Sequence, residues 1–154
     1  MRKALAMLTA GYLAWAGGSV RAQEGELPPA PYDFRTIECG ELDNDAGYRP
    51  LRPSHVAGED TDILCKVTVA LSDKSKGSPK PHTVKLTVSH GSKVTFEQVR
   101  DARVLSAGAR VLLFVIPAEK LPTEAGKVTI RAELSKPVNK PGFQDVTYTL
   151  SSED

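Results

Sequence analysis

The stretch ILCKVTVAL, Ile63 to Leu71, decides the fold. Ile63, Cys65, Val67, Val69 and Leu71 fall on one side of an extended chain, and Leu64, Lys66, Thr68 and Ala70 on the other. Side chains alternate across a strand, so this period of two predicts a β-strand with one buried face. TVKLTVSH, from Thr83, repeats the pattern with Val84, Leu86 and Val88. The turn HGS, His90 to Ser92, leads into KVTFEQV as the next strand. KVTIRAEL aligns Val128, Ile130, Ala132 and Leu134 on one face, and DVTYTL aligns Val146, Tyr148 and Leu150. RVLLFVI, Arg110 to Ile116, is apolar throughout and predicts a central strand buried on both faces. Helical spacing is absent from every stretch of useful length, although Phe96 to Leu105 could hold one turn.

Upstream of Ile63 the pattern changes. A short strand is predicted at Phe34 to Glu38, preceded by a Pro-rich, polar, flexible lead-in over residues 23–33. CGELDNDAGYRPLRPSHVAGEDTD, from Cys39, is dense in Gly, Pro, Asp and Asn and reads as one long loop. A loop of that length needs an anchor in a compact domain. Cys39 and Cys65 flank it, and their disulfide would tie its ends together, adding about 3 kcal/mol of stability in the chain-entropy model. Their wide spacing, with no C-x-x-C, argues against a redox pair or metal site.

Seven such strands over residues 34–151 predict a single all-β domain, an antiparallel immunoglobulin-like β-sandwich. LPTEAGKVTIRAEL, Leu121 to Leu134, resembles the corner entering the sixth strand of immunoglobulin-like and fibronectin type III-like domains. Glu124, Gly126, Val128 and Ile130 occupy comparable places in it. The corner is one residue short, Val128 stands where Tyr is common, and Ile130 stands where antibody domains carry Cys. The core Trp is also missing. The resemblance covers residues 60–151, implies a fold class, and transfers no functional residue.

The first 22 residues predict the cellular address. Arg2 and Lys3 precede an apolar stretch from Ala4 to Ala16, and GGSVRA ends with Val20 and Ala22 where a signal peptidase reads. This is the pattern of a secretory signal peptide cut after Ala22, so the expected location is secreted or periplasmic. The apolar run is short for a membrane span, and no Cys follows it closely enough for a lipid anchor. The leader holds three basic residues and no acid, which leaves 17 basic and 19 acidic residues and a net charge of −2. That balance does not predict a nucleic-acid binder. Export also favours the disulfide.

No motif predicts catalysis or a cofactor. The serines lack a G-x-S-x-G elbow, and His55, His82 and His90 lack metal spacing and read as surface residues. Glu41, Asp43 and Asp45 alternate as calcium ligands do. Ala46 replaces the turn Gly of an EF-hand, however, and Arg52 stands at its twelfth position. An acidic solvated loop is the favoured reading, with an irregular calcium site using Glu59, Asp60 or Asp62 left open.

Two Lys/Pro-rich stretches remain: SDKSKGSPKPH, Ser72 to His82, and SKPVNKPG, Ser135 to Gly142. In an immunoglobulin-like order they join strands two to three and six to seven, which turn at the same end. Lys74, Lys76, Lys80 and His82 would then lie near Lys136 and Lys140. The binding reading is a patch for an envelope protein or an anionic polysaccharide. The plainer reading is that Lys, Pro, Gly and Ser suit solvated turns. A different class of function is a structural subunit of an adhesion, motility or secretion machine, assembling through a sheet edge.

Overall fold

The computed structural model describes residues 32–43, 45, 47–56, 61–72, 82–102, 108–135, 139 and 141–152. The leader, and the lead-in up to residue 31, lie outside them. Nine strands and one 3-10 turn follow in order among the described residues: β1 (Tyr32–Asp43), β2 (Gly47–Pro50), β3 (Ser54–Val56), β4 (Asp62–Leu71), β5 (Thr83–His90), β6 (Lys93–Asp101), β7 (Ala109–Ile116), the 3-10 turn (Ala118–Lys120), β8 (Gly126–Leu134) and β9 (Phe143–Ser151).

The strands form two sheets, ordered β2-β1-β4-β7 and β3-β9-β8-β5-β6, packed as an all-β sandwich. Among the seven long strands, the first, second and fifth (β1, β4, β7) therefore face the third, fourth, sixth and seventh (β5, β6, β8, β9). That is the Greek-key order of an immunoglobulin-like sandwich. Pairing is antiparallel except between β3 and β9, which run parallel. The alternating residues meet between the sheets as predicted: Val67, Val69, Phe114 and Ile116 from one, and Val84, Leu86, Val88, Val128 and Ile130 from the other, are fully buried. The resemblance-based corner leads into β8, the sixth long strand, flanked by β5 and β9.

Three sequence expectations are corrected. The first concerns the start of the domain. Tyr32 and Asp33 belong to β1 rather than to the lead-in, and Tyr32 is fully buried. β1 continues to Asp43, pairing with β4 from Tyr32↔Leu71 to Leu42↔Asp62. The register shifts between Phe34 and Thr36, a bulge at Arg35 that returns Ile37, Cys39 and Glu41 to the core face after Tyr32 and Phe34.

The second concerns the long loop. It holds the end of β1 and strands β2 and β3, and it crosses from one sheet to the other between Pro50 and Ser54. Cys39 and Cys65 do form a disulfide, but they sit directly opposite each other on neighbouring strands, with Cα atoms 4.1 Å apart. The bridge staples β1 to β4 within one sheet.

The third concerns RVLLFVI. β7 is an edge strand, not a central one. Leu112, Phe114 and Ile116 face the core, whereas Val111, Leu113 and Val115 face solvent at 53%, 50% and 41% exposure. The helical turn considered at Phe96 is strand β6 up to Asp101.

Candidate binding surfaces

Three places on the sandwich can do chemistry or make contacts. The first is the end where β4 stops and β5 starts. Lys74, Lys76, Lys80, Lys136 and Lys140 lie outside the described residues, but the roots of both Lys/Pro stretches are described. The backbone N–H of Thr83 donates to the Ser135 hydroxyl at 3.0 Å, and the Ser135 N–H donates to the Thr83 carbonyl at 2.9 Å. The Leu134 N–H donates to the Gly142 carbonyl at 2.9 Å, closing the second stretch at its base. From within it, the Asn139 amide donates to Asp33 Oδ1 at 2.6 Å, tying this loop to β1 of the opposite sheet. The two stretches therefore leave the sandwich from one hydrogen-bonded root. Beside it, a shallow cleft of about 310 Å³ is lined by Thr83, Lys85, Val99, Glu133 and Ser135.

His82 behaves differently from a surface loop residue. It is 5% exposed, and its ring packs on Tyr32 with centroids 5.0 Å apart. Its carbonyl accepts the Ala102 N–H at 2.8 Å. His82 thus plugs this end of the core.

The second place is the opposite end. Glu41, on the core face of β1, is buried, and one carboxylate oxygen receives His55 Nδ1 at 2.9 Å and Arg52 at 3.2 Å. His55 comes from β3, so this contact bridges the two sheets. The imidazole also lies edge-on to Tyr148 of β9, with centroids 5.0 Å apart. His55 is thus a core residue too, not the surface residue its spacing suggests. Sequence reasoning missed this cluster. One signal for it existed: Glu41 shares the parity of Ile37 and Cys39 and so had to point inward if the strand continued.

Three acids of the calcium reading have other work. Glu41 is held by His55 and Arg52, Asp43 by Arg49, and Asp62 Oδ1 accepts the Ala118 N–H at 2.9 Å. Glu59 and Asp60 lie outside the described residues. Glu41 in particular is a core residue rather than part of a solvated loop.

Burial pushes the Tyr148 phenol up to about 12 from 10.0. Because the folded value lies above the unfolded one, the stability tied to the neutral phenol is complete below pH 10. It is lost as pH rises through the folded value, and two pH units amount to about 2–3 kcal/mol. Tyr148→Phe should therefore flatten the fall in urea midpoint between pH 10 and 12 relative to the native chain. Parallel curves for the two proteins would refute the assignment.

His90, near the turn between β5 and β6, donates from Nε2 to the Ala125 carbonyl at 3.2 Å. A Cβ on Gly126, whose φ is +142°, would approach that nitrogen to 2.5 Å. Glycine is required there twice over, by conformation and by the histidine. The cleft beside it holds Lys93, Thr95, Glu119, Lys120 and Glu124, a mixed-charge lining with no single preferred ligand.

The third place is β7, which has no second strand neighbour among the described residues and whose outward row of Val111, Leu113 and Val115 faces solvent. Among the described residues, the other three edge strands are shorter or more highly charged than β7, although Val94 and Val99 of β6 are exposed too. β2 is four residues long and ends in Pro50, and β3 has three residues. β6 carries Lys93, Glu97, Arg100 and Asp101. Short strands, prolines and charges are the usual protections of a sheet edge, and β7 has only Arg110.

Comparison with protein-family models finds no match, and comparison with curated proteins finds none. Among the described residues no helix is long and apolar enough to cross a membrane, which leaves strands unaddressed. What the chain shows of its class is therefore the fold: an all-β, immunoglobulin-like sandwich with one disulfide.

Proposed function

We propose that this chain is an exported interaction module, secreted or periplasmic, that acts by binding rather than by catalysis. Its partner is an envelope protein or an anionic glycan held at the end bearing the Lys/Pro stretches. The observation supporting this is the shared root: mutual hydrogen bonds join Thr83, just after the first stretch, to Ser135, the first residue of the second. Five lysines belong to those stretches, on a chain that carries a net charge of −2 once the leader is removed. Asn139, within the second stretch, is anchored to Asp33, and an anchored residue loses less entropy on binding.

Replacing Lys74, Lys76, Lys80, Lys136 and Lys140 together by Ser should abolish retention on isolated envelope material. It should also remove the salt dependence of that retention. Unchanged retention defeats the anionic-partner reading. Because His82 is buried, it is left out of the variant, and changing it would test packing instead.

A second reading is favoured by a separate observation, the unguarded β7 edge. An exposed edge strand with an apolar row accepts another strand by sheet extension. On that reading the chain is an assembling subunit of a surface structure.

A further inference from the structure

The open edge has a pattern that selects its occupant. We infer that β7 pairs with β7 of a second copy of this chain, antiparallel and about a two-fold axis at Leu113. The inference rests on the sheet-edge reading above and names its partner.

The argument begins with parity. In an antiparallel pair, residues directly opposite each other point to the same face, so a strand can meet its own copy only in registers that match outward with outward. For β7 this permits two-fold axes at a residue, such as Leu112 or Leu113, and forbids axes between residues. Centred on Leu112, Val115 would face Ala109 and Arg110 would face Phe114, leaving the apolar row mismatched. Centred on Leu113, Val111 faces Val115 of the copy, Leu113 faces Leu113, and Val115 faces Val111. The three large apolar side chains exposed on each strand, 53%, 50% and 41% exposed, then pack side by side with their equivalents across the new pair.

Charge and strand ends agree with that register. Arg110 is the one charged residue of β7, and it meets Ile116 of the copy rather than another cation. Pro117 meets Ala109 and, lacking an N–H, ends the ladder at the point where β7 ends. On the core-facing side, Leu112 meets Phe114 of the copy. The nearest outward cation is Lys66, one strand in, opposite Leu113 in the β4–β7 register. It lies over the Tyr48 ring at 4.2 Å, away from the axis. The product is a continuous eight-stranded sheet, β2-β1-β4-β7 joined to its two-fold copy. An isologous contact of this kind closes on itself and does not propagate into a fibre.

The test uses the protein purified from the exported fraction with its disulfide intact. Sedimentation equilibrium over a wide concentration range should show a monomer–dimer equilibrium. Leu113→Lys places two ammonium groups opposite each other on the axis and should weaken association by about tenfold or more. Leu113→Glu should do the same with two carboxylates. Mixing the two variants should restore a dimer, now strictly mixed, because the ammonium group introduced in one chain faces the carboxylate introduced in the other. Circular dichroism and the urea midpoint of each variant separate this result from misfolding.

A dimer indifferent to both variants overturns the inference, and so does a native chain that stays monomeric at every concentration. In the monomeric case, binding of a synthetic extended apolar peptide, lost in Leu113→Lys, would keep the open-edge reading while removing the second copy as occupant. Absence of both would remove the two together. None of these outcomes bears on the lysine variant above, whose surface is different.

Discussion

Replacing Cys39 and Cys65 together by Ala should lower the stability of the sandwich by about 3 kcal/mol, read as a fall in urea midpoint. The two residues are 26 apart in sequence and directly opposite on β1 and β4. In the chain-entropy account, most of the gain comes from denying the unfolded chain its freedom to separate those points. The fold itself should persist, because β1 and β4 pair along nearly their whole length without the bridge. The far-ultraviolet spectrum should therefore be preserved at low temperature. A loss below about 1 kcal/mol would show that the unfolded chain already keeps these strands close. Loss of folding altogether would show that the β2–β3 crossover depends on the bridge.

The second large effect lies at Glu41. Glu41→Ala should cost about 2–3 kcal/mol, below what breaking a fully buried ion pair costs, because Arg52 is half exposed and can turn to water. His55 cannot turn to water, since its side chain is 8% exposed. A double variant, Glu41→Leu with His55→Leu, should recover most of the loss, because it removes both polar partners from a site already walled by Tyr148. Double-mutant cycles measure the coupling directly. Equal and additive losses would mean that the contact between the sheets contributes nothing beyond its separate parts.

These two sites also mark where the sequence was hardest to read. β4, β5, β8 and β9 keep strict alternation and are legible from it. β1 is not, for two physical reasons: the bulge at Arg35 breaks the period of two, and an inward-facing carboxylate at Glu41 disguises a core position as loop. The partner that makes Glu41 acceptable, His55, comes from a strand of three residues, too short to leave any periodic trace. β7 failed in the opposite way. Apolar residues on both faces describe a doubly buried strand and an adhesive edge equally well, and only the sheet order separates them.

Of the candidate site, the convergence of the two Lys/Pro roots followed from strand order and was legible. The burial of His82 was not, since it depends on Tyr32, about fifty residues earlier and assigned to the lead-in.

The within-sheet disulfide has a mechanical consequence. The described chain enters β1 at one end of the sandwich, where Tyr32 pairs with Leu71, and leaves β9 at the other, where Ser151 lies beside Val56. Tension along the chain would thus pull parallel to the strands and load their ladder bonds in shear. The Cys39–Cys65 bond shunts that tension past residues 40–64, the segment that holds β2, β3 and the Glu41–His55 contact. Roughly 90 Å of contour is withheld from extension, at about 3.5 Å per residue. Under such tension that segment would be spared from extension until the covalent bond itself was cut.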